Sequence, residues 1–414
     1  MADRRPLMPL DEVLQRLVAG ARAHPIGATE TVSTFDALGR VLAAPVTSAL
    51  DVPPADNTSM DGYALHAADV AEAGALLPVA QRIPAGVVGQ PLPRGSAARI
   101  FTGAQIPPGA DAVVMQEDCE AMAGEGLGAV RVNTVPRAGQ WIRRRGEDIR
   151  RDATVLAQGT RLSAAALGLA ASVGAATLSV VHRPRVALMS TGDELVMPGQ
   201  PLPPGAIYNS NRYLLRGLLQ AAGCEITDFG IIPDRREATI AALREAAIGH
   251  DLILTSGGVS TGEEDHIRPA VQAQGWIENW QVAIKPGKPL AFGGVRCDDG
   301  SMALFMGLPG NPVSSFVNFL IAVTPVLRAM QGAAATLPRG MSARADFDWP
   351  RADRRREFLR ARFNEHGGLE LYANQSSGVL SSAVWGDGLI DNPAGATIAR
   401  GDSVRFLPFS ELLG

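Results

Sequence analysis

Between residues 185 and 331, short apolar runs alternate with amphipathic helical stretches, and no other feature limits the fold as strongly. The runs 185–189, 224–232, 251–255 and 303–306 read as strands. The stretches 211–222, 236–248, from about 265, and 312–331 read as helices, the last expected to kink at Pro325. In 211–222, Leu214, Leu215, Leu218 and Leu219 recur at the spacing that makes one helix face. Such alternation predicts a parallel sheet covered on both faces, with ligands bound at the carboxyl ends of its strands. A further β segment is expected near 289–292.

The flanking regions follow other patterns. With 414 residues the chain exceeds one ordinary core, and its length suggests about two to four domains. Residues 1–45 are read as an N-terminal helical segment, with Leu10, Val13, Leu14, Leu17 and Val18 on one helix face. Residues 46–150 carry short apolar runs between Gly/Pro turns and are expected to form a β-rich domain. A helical connection at 151–180 leads into the α/β domain at 181–331. A linker is expected at 332–340 and a small, barrel-like C-terminal β domain at 341–414.

A net charge of −4 argues against a nucleic-acid coat, and no run reaches the ~18 uninterrupted apolar residues of a membrane span. Cys119, Cys224 and Cys297 form no CxxC, and the six histidines make no zinc-ligand spacing. Together these features point to a cytoplasmic protein without a structural zinc site. The basic runs 143–145 and 354–356 read as solvated faces or small-anion sites.

Three strand-to-helix joints share one grammar of small hydroxyls, glycine and acids. Ser190, Thr191 and Glu194 follow the first strand of the α/β domain. Gly257, Gly258, Ser260 and Asp265 lie in SGGVSTGEEDH at 256–266, after the third. Pro309, Gly310 and Ser314 follow the last. Helix-end amides suit an oxyanion and clustered carboxylates suit a hard cation, so such a loop fits a phosphorylated ligand with its metal. Read alone, each is equally a plain joint with capping acids; three on one sheet edge describe a pocket. In IKPGKP at 284–289, Lys285 and Lys288 offer point charges suited to a tetrahedral oxyanion, though the segment read alone more often means exposed turn lysines.

Several motifs together resemble the molybdopterin molybdenumtransferase family, the bacterial MoeA type also found as the E domain of gephyrin. They are DNTSMDGYAL at 56–65, IFTGAQIPPGADAVVMQED at 100–118, RRRGEDI at 143–149, STGDEL at 190–195 and YNSN at 208–211. TSGGVSTGEEDH at 255–266, IKPGKPLAFG at 284–293, LPGNPVSS at 308–315 and QSSGVLSS at 375–382 complete the match. The resemblance implies a homodimer of four-domain subunits that inserts molybdenum from molybdate into adenylylated molybdopterin and releases AMP, with Mg²⁺ involved. The catalytic positions it implies are Asp61, Thr102, Asp148, Glu194, Asp234 and Asp265, joined by Lys285 and the serine run that begins at Ser376. Asp265 and Glu194 would hold Mg²⁺, while Lys285, Lys288 and helix-end amides would hold molybdate. In the family, the Asp61, Thr102 and Asp148 region of one subunit faces the α/β domain of the other. Where some members carry a lysine four residues before Lys285, this chain has Gln281. Candidate protein partners are the molybdopterin adenylyltransferase and molybdoenzyme acceptors. The competing functions are adenylyl transfer to the same dithiolene ligand and a non-catalytic, gephyrin-like scaffold.

Overall fold

A computed structural model describes residues 7–258, 266–333 and 340–413. Its central sheet has six strands in the order Glu225–Ile232, Arg185–Thr191, Leu252–Ser256, Met302–Leu308, Pro289–Arg296, Gly275–Gln281. The first four run parallel. Leu252–Ser256 is wholly buried, as a strand covered on both faces must be, hence its unbroken apolar run. One face carries Ser210–Ala221, the long helix Pro312–Met330 and the N-terminal helix Leu10–Arg22. The other carries Arg236–Ala247 and Ile267–Gln274.

Two antiparallel strands extend this parallel sheet at one edge, Pro289–Arg296 beside Met302–Leu308 and Gly275–Gln281 outermost. The outer strand follows the helix Ile267–Gln274 directly, with no turn residues between them. By length and composition Pro312–Met330 could cross a membrane, yet every residue of it except Pro312 and Arg328 is buried inside the protein. Pro325 falls just after a π-helical turn, Phe319–Val323, where the Thr324 hydroxyl donates to the Phe319 carbonyl at 3.2 Å. A widened turn lets the helix pass a residue that has no N–H to give.

Residues 1–45 are not one helical segment. The helix ends at Arg22, and its buried Leu10, Val13, Leu14 and Leu17 belong to the core of the α/β domain. Thr29–Ser33 then pairs with Thr177–Val181. With helix Ala164–Ser172, these strands enclose a separate core of Leu42, Ile149, Leu162, Leu178 and Val180. The stretch 151–180 is therefore a returning half of this unit. A six-stranded sheet is inserted within it, ordered Ala112–Met115, Gly62–Leu65, Ala97–Ile100, Ala75–Ile83, Ala129–Val132, Cys119–Met122. The C-terminal sheet runs Arg356–Phe363, Gly388–Asn392, Ser403–Pro408, Met341–Arg344. Ile284–Lys285 from the α/β domain adds to its edge, parallel to Arg356 and Glu357.

Leu17 has no exposed surface in the packing of the N-terminal helix. Leu17→Ala should lower the stability of the α/β domain by about 2–5 kcal/mol, read as a fall in the denaturant midpoint. A shift below a few tenths of a kcal/mol would mean that the helix is dispensable to that core.

Candidate functional site at the strand ends

The register of the parallel strands sets Thr191, Ser256 and Leu308 at neighbouring carboxyl ends. The loops that follow form two cavities sharing Gly257, Gly310 and Asn311. The first, of 560 Å³, is lined by Gly257, Gly258, Lys285, Lys288, Pro309, Gly310, Ser314, Arg355 and Ser376 among others. The second, of 340 Å³, is lined by Thr191, Glu194, Tyr208, Asn209, Asn211 and Ser256 among others. Both volumes lie in the range of small-molecule sites.

Backbone geometry builds these walls. Gly257 and Gly258 sit at φ +87° and +64°, and a Cβ on either would run into Thr191 or Ile267. Gly287, at φ +104°, lies so close to Asn318 that a Cβ would fall 2.0 Å from Nδ2. That amide donates to the carbonyls of Gly287 and Ser314, tying the IKPGKP turn to the long helix. Asn211 Nδ2 donates to the Gly310 carbonyl at 2.7 Å, and the Ser315 hydroxyl donates to that of Pro309. Ser190 Oγ, Thr191 Oγ1, Asn209 Nδ2, Asn211 Oδ1 and Thr255 Oγ1 are buried and have no hydrogen-bond partner among the described residues. Buried polar atoms left open in this way mark where a polar ligand or water completes the set.

The first cavity has a cationic wall. Lys285 Nζ contacts Glu357 Oε1 at 2.9 Å and Asp353 Oδ2 at 3.3 Å. Burial works against its charge, but Glu357 and then Asp353 outweigh it, so its pKa is raised. Arg355 grips Asp353 through Nε and Nη2 and holds that carboxyl well below the usual range. Lys288 makes no ion pair among the described residues. Three cations thus face two carboxylates, leaving a net positive wall. The C-terminal domain also supplies Gln375, Ser376 and Ser377 to this cavity. There Arg360, 1% exposed, donates to the Phe358 and Ser376 carbonyls and to the Ser382 hydroxyl. Burial pulls its pKa to about 10, so it stays charged at neutral pH.

The structure brings Thr191, Glu194, Gly257, Gly258, Lys285, Lys288, Pro309, Gly310, Ser314 and Ser376 to these cavities. Ser190 is buried just beneath. Ser260 and Asp265 lie outside the described residues. Asp234 lines neither cavity, although its N–H reaches Asp193 Oδ1 at 3.3 Å and joins two neighbouring strand-end loops. Gln281 also lines neither; it pairs with Pro289 at the sheet edge. Sequence reasoning missed Asn318 and Gln375, and singled out neither Asn311 within its loop nor Arg355 within its basic run. A lone amide in an apolar helix was the available signal for Asn318, and the run 354–356 for Arg355.

Asp61, Thr102 and Asp148 enter neither cavity. In the inserted unit, Thr102 N and Oγ1 both donate to Asp61 Oδ1, at 2.7 and 2.6 Å. Asp148 is exposed on a loop whose N–H groups at 148 and 149 bond the Val52 carbonyl. Beside it, Arg144 pairs with Asp56 and Arg145 with Asp51, so that basic run is largely spent on holding two loops together. A recess of 840 Å³ lies between the N-terminal helix and the C-terminal sheet. Its Asp11, Arg356, Asp391 and Arg405 pair with one another.

An α/β sheet with ligand loops at its strand ends, flanked by an inserted β unit and a C-terminal β domain, is the architecture of MoeA-type proteins. Family profiles match at residues 8–174 (MoeA N-terminal region, domains I and II), 187–329 ("Probable molybdopterin binding domain") and 342–409 (MoeA C-terminal region, domain IV). A Haemophilus influenzae protein named molybdopterin molybdenumtransferase is 37% identical over 93% of this chain and 95% of its own. A Nostoc protein of the same name is 40% identical over 74% of this chain and 70% of its own. The crystal structure of the molybdopterin biosynthesis MoeA protein from Pyrococcus horikoshii OT3 superposes with TM-score 0.80 at 28% identity, covering 97% of this chain and all of that one. The chain belongs to the molybdopterin molybdenumtransferase family, enzymes of molybdenum cofactor biosynthesis.

The Thr102 hydrogen bonds, side chain first and then backbone, lower the Asp61 pKa because they are donated to the charged form. Thr102→Val removes one of them, so the Asp61 midpoint in a carboxyl-carbon NMR titration should rise toward the ordinary carboxylate value. An unmoved midpoint would show that the hydroxyl does not stabilise the carboxylate.

Proposed function

We propose that this protein is a molybdopterin molybdenumtransferase that inserts molybdenum from molybdate into adenylylated molybdopterin with release of AMP. The observation that carries the reading is the paired cavity at the strand ends, cationic in one lobe and lined by unsatisfied amide and hydroxyl groups in the other. Lys288, Arg355, Ser314 and Ser376 suit a tetrahedral dianion such as molybdate, whereas the long helix opens on Pro312, which has no N–H, and its Val313 N–H is donated to the Ser377 carbonyl. Lys285 adds charge while held by Glu357. Thr191, Asn209 and Asn211 offer hydrogen bonds to the neutral polar parts of the adenylylated pterin. Cleaving its phosphoanhydride requires positioning and compensation of charge on the phosphate oxygens more than covalent catalysis.

Mg²⁺ binds through one or two carboxylates, with substrate phosphates and water filling the other positions. Among the described residues no group of three acids, histidines or cysteines forms a closed metal cage. Exposed Glu194 beside the hydroxyl of Thr191 fits a metal carried mainly by phosphate, and Asp265 is its proposed companion. When bound, the ion would neutralise charge on the anhydride oxygens. The protein works in the cytoplasm as a homodimer in which Asp61, Thr102 and Asp148 of one subunit complete the strand-end cleft of the other. It takes substrate made by an adenylyltransferase and passes product to molybdoenzymes. The separation of Asp61 and Thr102 from both cavities within one chain supports that shared site.

Purified protein given adenylylated molybdopterin, Mg²⁺ and molybdate should release AMP only when molybdate is present. ATP consumption with plain molybdopterin would instead identify an adenylyltransferase. Lys288→Ala should raise the half-saturating molybdate concentration about tenfold or more, the worth of one hydrogen bond to a charged group. An unchanged molybdate dependence would return Lys288 to the role of a surface charge.

Mixing inactive Asp61→Ala and Glu194→Ala proteins should restore partial activity, since each heterodimer holds one intact site. Heterodimers that form, as shown by differential tags, yet remain as inactive as their parents would rule out the shared cleft.

A further inference from the structure

Asp61 and Thr102 meet where two antiparallel strands end, with Gly62 opposite Ile100 and Tyr63 opposite Arg99. Arg99 contacts Gly62, Tyr63, Phe101 and Gln116 beside them. Its Nη1 donates to the Gly62 carbonyl at 3.0 Å, one residue beyond Asp61. Its Nη2 donates to Gln116 Oε1 at 2.6 Å, and the Gln116 N–H donates in turn to the Asp61 carbonyl at 3.0 Å. The guanidinium also lies over the ring of Phe101, next to Thr102, at 4.7 Å, and over that of Tyr63 at 5.2 Å. Arg82 lies over Phe101 as well, at 4.5 Å. The neighbouring strand packs closely here: a Cβ on Gly62 would sit 1.9 Å from the Val114 carbonyl oxygen.

We infer that Arg99 is a positioning residue for the proposed reaction, a planar fork that fixes the Gly62 carbonyl and, through Gln116, that of Asp61, and so aims the Asp61–Thr102 pair. The inference rests on the functional reading of Asp61 given above. Only a guanidinium can hold two diverging acceptors while stacking on aromatic faces; an ammonium would keep the charge and lose the fork. The Arg99 charge also helps keep Asp61 ionised, behind the two Thr102 hydrogen bonds. Arg99 lines neither strand-end cavity, so its effect should fall on turnover rather than on molybdate binding.

The test compares Arg99→Gln, Gln116→Met, Asp61→Asn and the Asp61→Asn/Arg99→Gln double variant as dimers in the molybdate-dependent AMP assay. Arg99→Gln should lower kcat roughly 10–100-fold, as misaimed catalytic groups do, with the KM for molybdate unchanged. Because Arg99 acts through Asp61, the double variant should be no slower than Asp61→Asn alone. Gln116→Met, a change at an exposed side chain, should show the same split at smaller size and carries the test if Arg99→Gln does not fold. Multiplying losses in the double variant, or a raised KM with kcat intact, would overturn the inference. So would wild-type turnover in Arg99→Gln or, should that variant not fold, in Gln116→Met, with Asp61→Asn inactive. Wild-type turnover in Asp61→Asn would instead remove the functional reading beneath it.

Discussion

Glu357 is a carboxylate with 1% of its side chain exposed, and a charge taken so far from water persists only with partners. Those partners come from both sides of a domain junction. Lys285 Nζ reaches it from the α/β domain at 2.9 Å, and Trp349 Nε1 and Asn392 Nδ2 from the C-terminal domain at 2.8 and 3.3 Å. The backbone reinforces the joint where Ile284–Lys285 adds to the C-terminal sheet. A cavity with one wall from each domain keeps its shape only if the walls cannot slide. The Val313 N–H to Ser377 carbonyl bond closes the far side of the same joint. Lys285 therefore has a structural partner that Lys288 lacks, and its removal would strand a buried charge besides weakening an anion site.

Charge is used differently in the inserted unit. Arg144, Arg145, Asp51 and Asp56 neutralise one another between two loops, which, with Ile149 anchored in the core, keeps Asp148 on a defined turn. Around Asp61 the organising group is again an arginine, braced by rings rather than by a carboxylate. Guanidinium groups supply rigid directions in both places, and at Arg360 they do so inside the C-terminal domain. Positioning by planar donors suits a reaction whose demands are mostly geometric and electrostatic.

The parallel strands were legible because each lies between two helical layers, so burial on both faces shows as a continuous apolar run. The convergence of the loops after 191, 256 and 308 followed from that topology, since parallel neighbours end on one edge. Strand Gly275–Gln281 was not legible. It lies at the sheet edge with mixed burial, and no turn residue separates it from the helix before it. The segment 1–45 misled for a related reason: its helix is amphipathic as expected, but the surface that receives its apolar face belongs to the α/β domain.

Local chemistry is therefore what the chain determined by itself: where the buried strands, turns and helix starts fall, and which residue types gather at each loop. Those properties depend on neighbours a few residues apart. Only the tertiary structure decided that Asn318 would brace Gly287, that Glu357 would hold Lys285, and that Arg99 would reach across to the Gly62 carbonyl beside Asp61. These pairs are 31, 72 and 37 residues apart. Contacts at such separations carry no periodicity or composition signal, because they arise from how finished elements pack rather than from how any one of them forms.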